Sequence, residues 1–196
     1  MKKNINTTFS EEEIKRLSAL IGKKVKSLHH DEFTLGNLSI QKVGIRCEDK
    51  IYALQTDYKY VDFLWGEKGV AELHFVESTE ANLIVFASSP IKYVNETIND
   101  LVEDVIIVRD EIEEFVDGQS IGTFIYDKGI ILVFKDHQIG IELDSWMAEM
   151  IAVFRSSNAL SKFTPLDYEW GNDGHDSNCK FETKRFQISL TKWKQG

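Results

Sequence analysis

Gln119–Leu143 reads QSIGTFIYDKGIILVFKDHQIGIEL, and the fold turns on how it is parsed. Short apolar runs are interrupted at Asp127-Lys128-Gly129 and at Asp136-His137, which predicts three short strands joined by tight turns. An echo lies at Gln41–Leu64, QKVGIRCEDKIYALQTDYKYVDFL. With one gap at Gly129 the two stretches share Gln41/Gln119, Gly44/Gly122, Asp49/Asp127, Lys50/Lys128, Ile51/Ile130, Asp57/Asp136 and Leu64/Leu143. Seven identities in 24 positions stand against roughly one or two for unrelated segments, and an internal repeat takes precedence over other readings. The chain is therefore read as a duplicated β-meander.

Working outward, each meander is preceded by the same order of elements. Phe9-Ser10-Glu11-Glu12-Glu13-Ile14 carries a capping box, with Ser10 as N-cap, Glu13 reaching back to it, and Phe9 against Ile14 as a hydrophobic staple. Ile14, Leu17, Leu20 and Ile21 form one helical face, which Gly22 ends. A strand over Val25–His30 follows, then Asp31-Glu32. In the second unit a helix is expected from about Asn95 to Glu103, with Val94, Ile98, Leu101 and Val102 on one face, then a strand at Val105–Val108 and the pair Asp110-Glu111. Turns are expected at Cys47–Lys50, Asp57-Tyr58, Asp127–Gly129 and Asp136-His137. Gly44 and Gly122 fall inside strands, where a glycine marks a bulge or a close approach, and they are expected to bend the first strand of each meander.

Trp65–Gly69 reads as a turn, and Val70–Val76 and Asn82–Ala87 as strands. Two rules disagree over 146–156. The repeat aligns Phe75 with Phe154 and so implies a strand, whereas Trp146, Met150, Val153 and Phe154 have helical spacing and Ala, Met and Glu favour helix. The segment is read as helix. Lys180–Lys192, with Phe186, Ile188 and Leu190 alternating with polar residues, reads as a half-buried strand. The expected fold is α+β, mostly antiparallel sheet with two or three helices, in one domain of two pseudo-repeats (about 10–90 and 91–196) sharing a single core.

Composition narrows the function. The chain has 196 residues, is 42% hydrophobic and carries a net charge of −9, enough apolar content for one sizeable core without metal or disulfide. Cys47 and Cys179 have neither ligand spacing nor a disulfide framework, so both are read as reduced thiols. No apolar run follows Lys2-Lys3, and no stretch approaches a membrane span, so the expected location is cytoplasmic. Residues 1–30 carry +4, residues 31–160 carry −14 and residues 161–196 carry +1. A negative middle disfavours nucleic acid and anionic membrane, both of which need cations from the protein.

Motifs for chemistry are weak. His29-His30-Asp31-Glu32 has the right residue types for a metal or a proton relay, but neighbours on a strand point to opposite faces. The loop Tyr168–Cys179 gathers Asp173, His175, Asp176 and Cys179 beside Trp170, without an EF-hand or zinc pattern. There is no nucleophile elbow and no phosphate loop, and no cofactor or metal is assigned.

The acidic run stands out. Glu96, Asp100, Glu103, Asp104, Asp110, Glu111, Glu113, Glu114 and Asp117 face Arg109 alone, a net −8 within 22 residues. Ten apolar residues are threaded through it, so the segment should fold and hold its carboxylates in place for a basic partner. Tyr58, Tyr60, Trp65, Tyr168 and Trp170 are candidate anchors, as aromatics dominate interface hot spots. The expectation is a non-enzymatic binding protein of the inhibitor or immunity type that engages a basic protein. The alternatives are an enzyme or small-ligand protein using the cleft between the repeats, lined by His29, His30, His137 or the 173–179 loop, and a homodimer.

Overall fold

The computed structural model describes residues 2–31, 38–62, 67–83, 93–171 and 178–193. In chain order they form β1 (Lys3–Thr7), α1 (Glu11–Ser18), β2 (Lys24–Asp31), β3 (Leu38–Ile40), β4 (Lys42–Cys47), β5 (Lys50–Asp62), β6 (Glu67–Ser78), α2 (Glu80–Leu83), β7 (Tyr93–Leu101), β8 (Asp104–Val116), β9 (Gln119–Val133), β10 (Gln138–Leu143), β11 (Met150–Ser156), a 3-10 turn (Ala159–Lys162), α3 (Leu166–Trp170), β12 (Cys179–Ser189) and α4 (Leu190–Trp193). The architecture is sheet-rich α+β with short helices. No described helix is long and apolar enough to cross a membrane.

Two sheets divide the strands. The larger has the order β12-β8-β9-β10-β11-β3, with β1 also on β9, and the smaller has the order β6-β5-β4-β2-β7. Only the β1–β9 pairing is parallel among the described strands. Both sheets are wound alike: β2-β4-β5-β6 and β8-β9-β10-β11 run as meanders, and the next strand, β7 or β12, returns to pair with the first. Side chains of both sheets, including Ile45, Leu54 and Phe75 from one and Ile107, Phe124 and Leu132 from the other, join one continuous core.

Local chemistry explains the start of α1. Ser10 Oγ accepts from Glu13 N at 3.4 Å while Ser10 N donates to Glu13 Oε2 at 2.8 Å, the reciprocal bonds of a capping box. Phe9 is buried and Ile14 packs on the same core. Helical geometry stops at Ser18, and Gly22 lies beyond it with φ +79°.

The second unit departs from the sequence reading in three places. Asn95–Glu103 is not a helix: Tyr93–Leu101 is strand β7, paired along β2 from Lys24↔Leu101 to Asp31↔Tyr93. Its β-branched residues favour strand, and β2 supplies the hydrogen bonds a lone helix would have made internally. Met150–Ser156 is also strand, set between β10 and β3, with Ile151 and Val153 buried, so the repeat alignment outperformed helix propensity here. In the first unit, Asn82 and Leu83 belong to α2 rather than a strand, and 84–87 lie outside the described residues. Glu67–Gly69 open β6 instead of forming a turn.

The third departure is the most consequential. Asp127-Lys128-Gly129 is no hairpin turn, because β9 runs unbroken from Gln119 to Val133. Its partner shows the cause: Arg109 pairs with Asp127 and Val108 with Gly129, so Lys128 is the extra residue of a β-bulge. Gly129 is required there, since a Cβ would lie 2.2 Å from the carbonyl oxygen of Ile141 on β10. Asp57-Tyr58 likewise sits inside β5, whereas the turns at Cys47–Lys50 and Asp136-His137 form as read. The two aligned stretches thus differ where the alignment matched them best: a hairpin at Asp49-Lys50, a bulge at Asp127-Lys128.

Candidate functional site

The acidic run is divided between two sheets. Glu96 and Asp100 lie on β7, where Glu96 pairs with Arg155 and sits 3.6 Å from His30 Nε2, while Asp100 is 4.0 Å from His137 Nδ1. Asp104 opens β8 and accepts from Ser189 Oγ at 2.6 Å and Thr191 N at 3.0 Å, fixing the junction of β12 with α4. The period of two along β8 then splits the rest. Asp110 and Glu114 turn inward and are buried, while Glu111 and Glu113 stay half-exposed on the other face. Glu111 pairs in register with Lys184, and Glu113 accepts from Lys2 at 2.8 Å and Ser120 Oγ at 2.6 Å. Glu103 is exposed and Asp117 occupies the β8–β9 turn with φ +50°. The expected single acidic belt is corrected to scattered carboxylates, two of which never reach the surface. Trp170, expected as an exposed anchor, is buried against Trp146, with ring centroids 4.9 Å apart.

Asp110 joins a buried charged network. Arg185 on β12 donates to Asp110 from Nε and Nη2, both at 2.7 Å, and from Nη1 to the Thr164 carbonyl at 2.9 Å. Tyr126 Oη lies 3.3 Å from Asp110 Oδ2 and 3.3 Å from Glu169 Oε2, and it accepts from Trp170 Nε1 at 3.3 Å. Lys128, wholly excluded from solvent, places Nζ 2.8 Å from Glu169 Oε1, 3.5 Å from Glu142 Oε1 and 3.2 Å from the Asp144 carbonyl. Glu142 also accepts from Thr164 N at 2.8 Å. The bulge turns Lys128 inward from β9, β10 brings Glu142, and α3 delivers Glu169 and Trp170 together.

Three carboxylates, Asp110, Glu142 and Glu169, thus meet two cations, Lys128 and Arg185. Burial pushes the Glu142 carboxyl above its usual range, against the pull of Lys128, and it does the same at Glu169. Burial, then the charges of Glu169 and Asp110, hold the Tyr126 hydroxyl well above its ordinary value, so it keeps its proton. Groups with such perturbed ionisation mark candidate sites. Sequence reasoning missed this set because it read Asp127–Gly129 as a turn. The available signal was a lysine embedded in an otherwise apolar stretch, Gly129–Phe134 following Tyr126-Asp127-Lys128.

The histidine candidates His29 and His30 are held by local hydrogen bonds. His29 Nε2 lies 3.2 Å from Ser27 Oγ, and His30 Nδ1 donates to the Asp31 carbonyl at 2.6 Å. Both rings are buried, and burial followed by the charges of Arg46 and His30 lowers the His29 pKa. No group of three His, Cys, Asp or Glu among the described residues is placed to hold a metal. Cys47 and Cys179 are free and buried, and burial pushes the Cys47 thiol up. Asp173, His175 and Asp176 lie outside the described residues.

Of the aromatic anchor candidates, Tyr58, Tyr60 and Tyr168 are exposed, Tyr168 on α3 at 83%, and Trp65 lies outside the described residues. Tyr58 and Tyr60 on β5 are 47% and 73% exposed, beside Met147 at 52% from the β10–β11 connection. Tyr58 Oη donates to the Met147 carbonyl, joining the two segments. Asp62, on the same face of β5 as the tyrosines, pairs with Lys3 at 2.9 Å and its side chain stays 68% exposed, whereas Asp57 turns to the other face, 3.9 Å from His74 Nε2. No family model, no curated protein and no solved structure matches the chain.

Proposed function

We propose that the chain is a non-enzymatic binding protein whose exposed Tyr58–Tyr60–Met147 patch, with Asp62 on the same strand face, takes a basic segment of another protein. The carrying observation is that exposed Tyr58 and Tyr60 share one face of β5 and that Tyr58 Oη donates to the main-chain carbonyl of Met147, itself exposed, on a separate segment. Each tyrosine offers about 150–250 Å² of amphipathic surface at low entropic cost. Residues 57–72 hold four carboxylates (Asp57, Asp62, Glu67, Glu72) against Lys59 and Lys68, a net −2 that favours a cationic partner. An inhibitor or immunity-type role against a basic protein fits this chemistry, and a cytoplasmic setting suits two free thiols. The common winding of the two sheets supports descent from one duplicated unit, with pseudo-repeats near 10–90 and 91–196.

Affinity capture from the native cell tests the reading. A basic protein should be retained by the wild-type chain, released by high salt, lost with Y58A/Y60A and weakened by D62K, while E111K/E113K keeps it. Capture of no basic protein, or equal retention by every variant, overturns the proposal. Loss with E111K/E113K alone moves the contact to the outer face of β8 and also overturns it.

A further inference from the structure

The interior network around Lys128 has no part in surface docking, yet it assembles the groups of an acyl-transfer site. A nucleophile (Lys128 Nζ), a carboxyl electrophile (Glu169, 2.8 Å away), a second carboxyl able to carry protons (Glu142, 3.5 Å away) and a hydroxyl donor aimed at the electrophile's other oxygen (Tyr126, 3.3 Å) occupy one place. The Lys128 side chain is fully buried, and those of Glu142 and Glu169 are 3% and 5% exposed. We propose that Lys128 and Glu169 condense into an intramolecular amide, an isopeptide cross-link that ties β9 to α3.

The step balances without any co-reactant. Proton transfer within the Lys128–Glu169 ion pair gives a free amine and a carboxylic acid, both uncharged. The amine lone pair forms the N–C bond at Glu169 Cδ, and one C–O bond breaks. The departing oxygen leaves as water, taking the hydrogen already on the carboxyl and one from the nitrogen. Glu142 accepts the proton from nitrogen, returns it to the departing oxygen, and ends as it began. The Tyr126 hydroxyl donates to the oxygen on which charge builds, while Trp170 Nε1 donates to Tyr126 from behind.

Burial supplies the drive. Ions withdrawn from water are costly, and condensation removes two of them while the Asp110–Arg185 pair stays matched and Glu142, which gives up its cation, keeps the hydrogen bond from Thr164 N. In water an amine and a carboxylate do not condense, but two groups held in contact act at an effective molarity of about 10⁵–10⁸ M. The water formed leaves a site that excludes solvent, so hydrolysis lacks its reagent.

The deciding measurement is the intact mass of the denatured full-length chain. The expected mass is lower than the sequence value by one water, and proteolysis should yield a branched peptide joining Lys128 to Glu169. The E142Q variant should return to the full sequence mass, and E142D should recover part of the cross-link. A wild-type chain at full sequence mass after prolonged incubation at neutral pH overturns the proposal, as does a cross-link between any other pair. Because the wild-type mass is read on denatured protein, the result stands whether or not a variant folds.

Discussion

Arg185 grips both carboxylate oxygens of Asp110, at 2.7 Å each, and in doing so fastens the outer strand β12 to β8 from the inside. Asp110 is fully buried and the Arg185 side chain is 15% exposed, so this is an interior pair rather than a surface one. Its neighbour in sequence, Glu111, faces the other way.

Substituting the two neighbours should therefore have unequal effects. Asp110→Ala strands a buried guanidinium and should cost about 3–5 kcal/mol in urea unfolding. Glu111→Ala should stay within about 0.5 kcal/mol of wild type. Equal losses would show that the inward and outward assignment along β8 is wrong.

Trp170 stacks on Trp146 and meets Phe124 and Phe181 edge-on, with centroids 6.2 and 5.6 Å away. Trp170→Ala should cost about 3–5 kcal/mol and abolish the near-ultraviolet circular dichroism of the coupled indoles. An unchanged spectrum would mean that the two rings do not stack in solution.

Glu13 predicts an acid limb to stability. Burial raises its pKa, but hydrogen bonds from Ser10, Phe75 N and His74 outweigh that and leave it below the ordinary 4.5. A carboxyl whose folded pKa is depressed stabilises the fold above the unfolded value and loses that contribution as pH falls through the folded one. Stability should thus decline as pH drops below about 4.5, and Glu13→Gln should flatten this part of the profile in denaturant titrations at successive pH values. A variant with the wild-type slope would remove Glu13 as its source.

Two glycines separate a tight contact from a loose one. At Gly129 an added methyl would strike the Ile141 carbonyl oxygen, main chain that cannot step aside, whereas at Gly69 it would sit 3.5 Å from the Tyr58 ring. Gly129→Ala should cost about 1–3 kcal/mol or more, and Gly69→Ala should be near neutral by thermal melting. Comparable melting temperatures would contradict the β9–β10 approach.

Local signals were legible where neighbouring residues are enough to satisfy the backbone. The capping box at Ser10 and Glu13 and the hairpin at Cys47–Lys50 formed as read, because each closes its own hydrogen bonds within a few residues. Helix propensity over Trp146–Phe154 failed because β10 and β3 offer this segment a pairing edge on each side, which no local scale registers. The same holds for β7, whose partner β2 lies some seventy residues earlier in the chain.

The candidate sites divide in the same way. Tyr58 and Tyr60 could be nominated from residue type alone, but their alliance with Met147 depends on a connection 89 residues away. The acidic run was plain in composition, yet the alternation of β8 buried Asp110 and Glu114 while exposing Glu111 and Glu113. Lys128 was hidden because a bulge and a turn draw on the same residues, Asp-Lys-Gly, and only the opposing strand distinguishes them.

From the residues in isolation came a sheet-rich α+β chain, a capped first helix, uneven charge and no recognisable catalytic signature. Tertiary structure alone chose which carboxylates meet cations indoors, which aromatics stay in solvent, and where Lys128, Glu142 and Glu169 converge. The physical reason is range: caps and turns are settled by hydrogen bonds a few residues apart, whereas strand register and the burial of charge are settled by partners brought from distant parts of the chain.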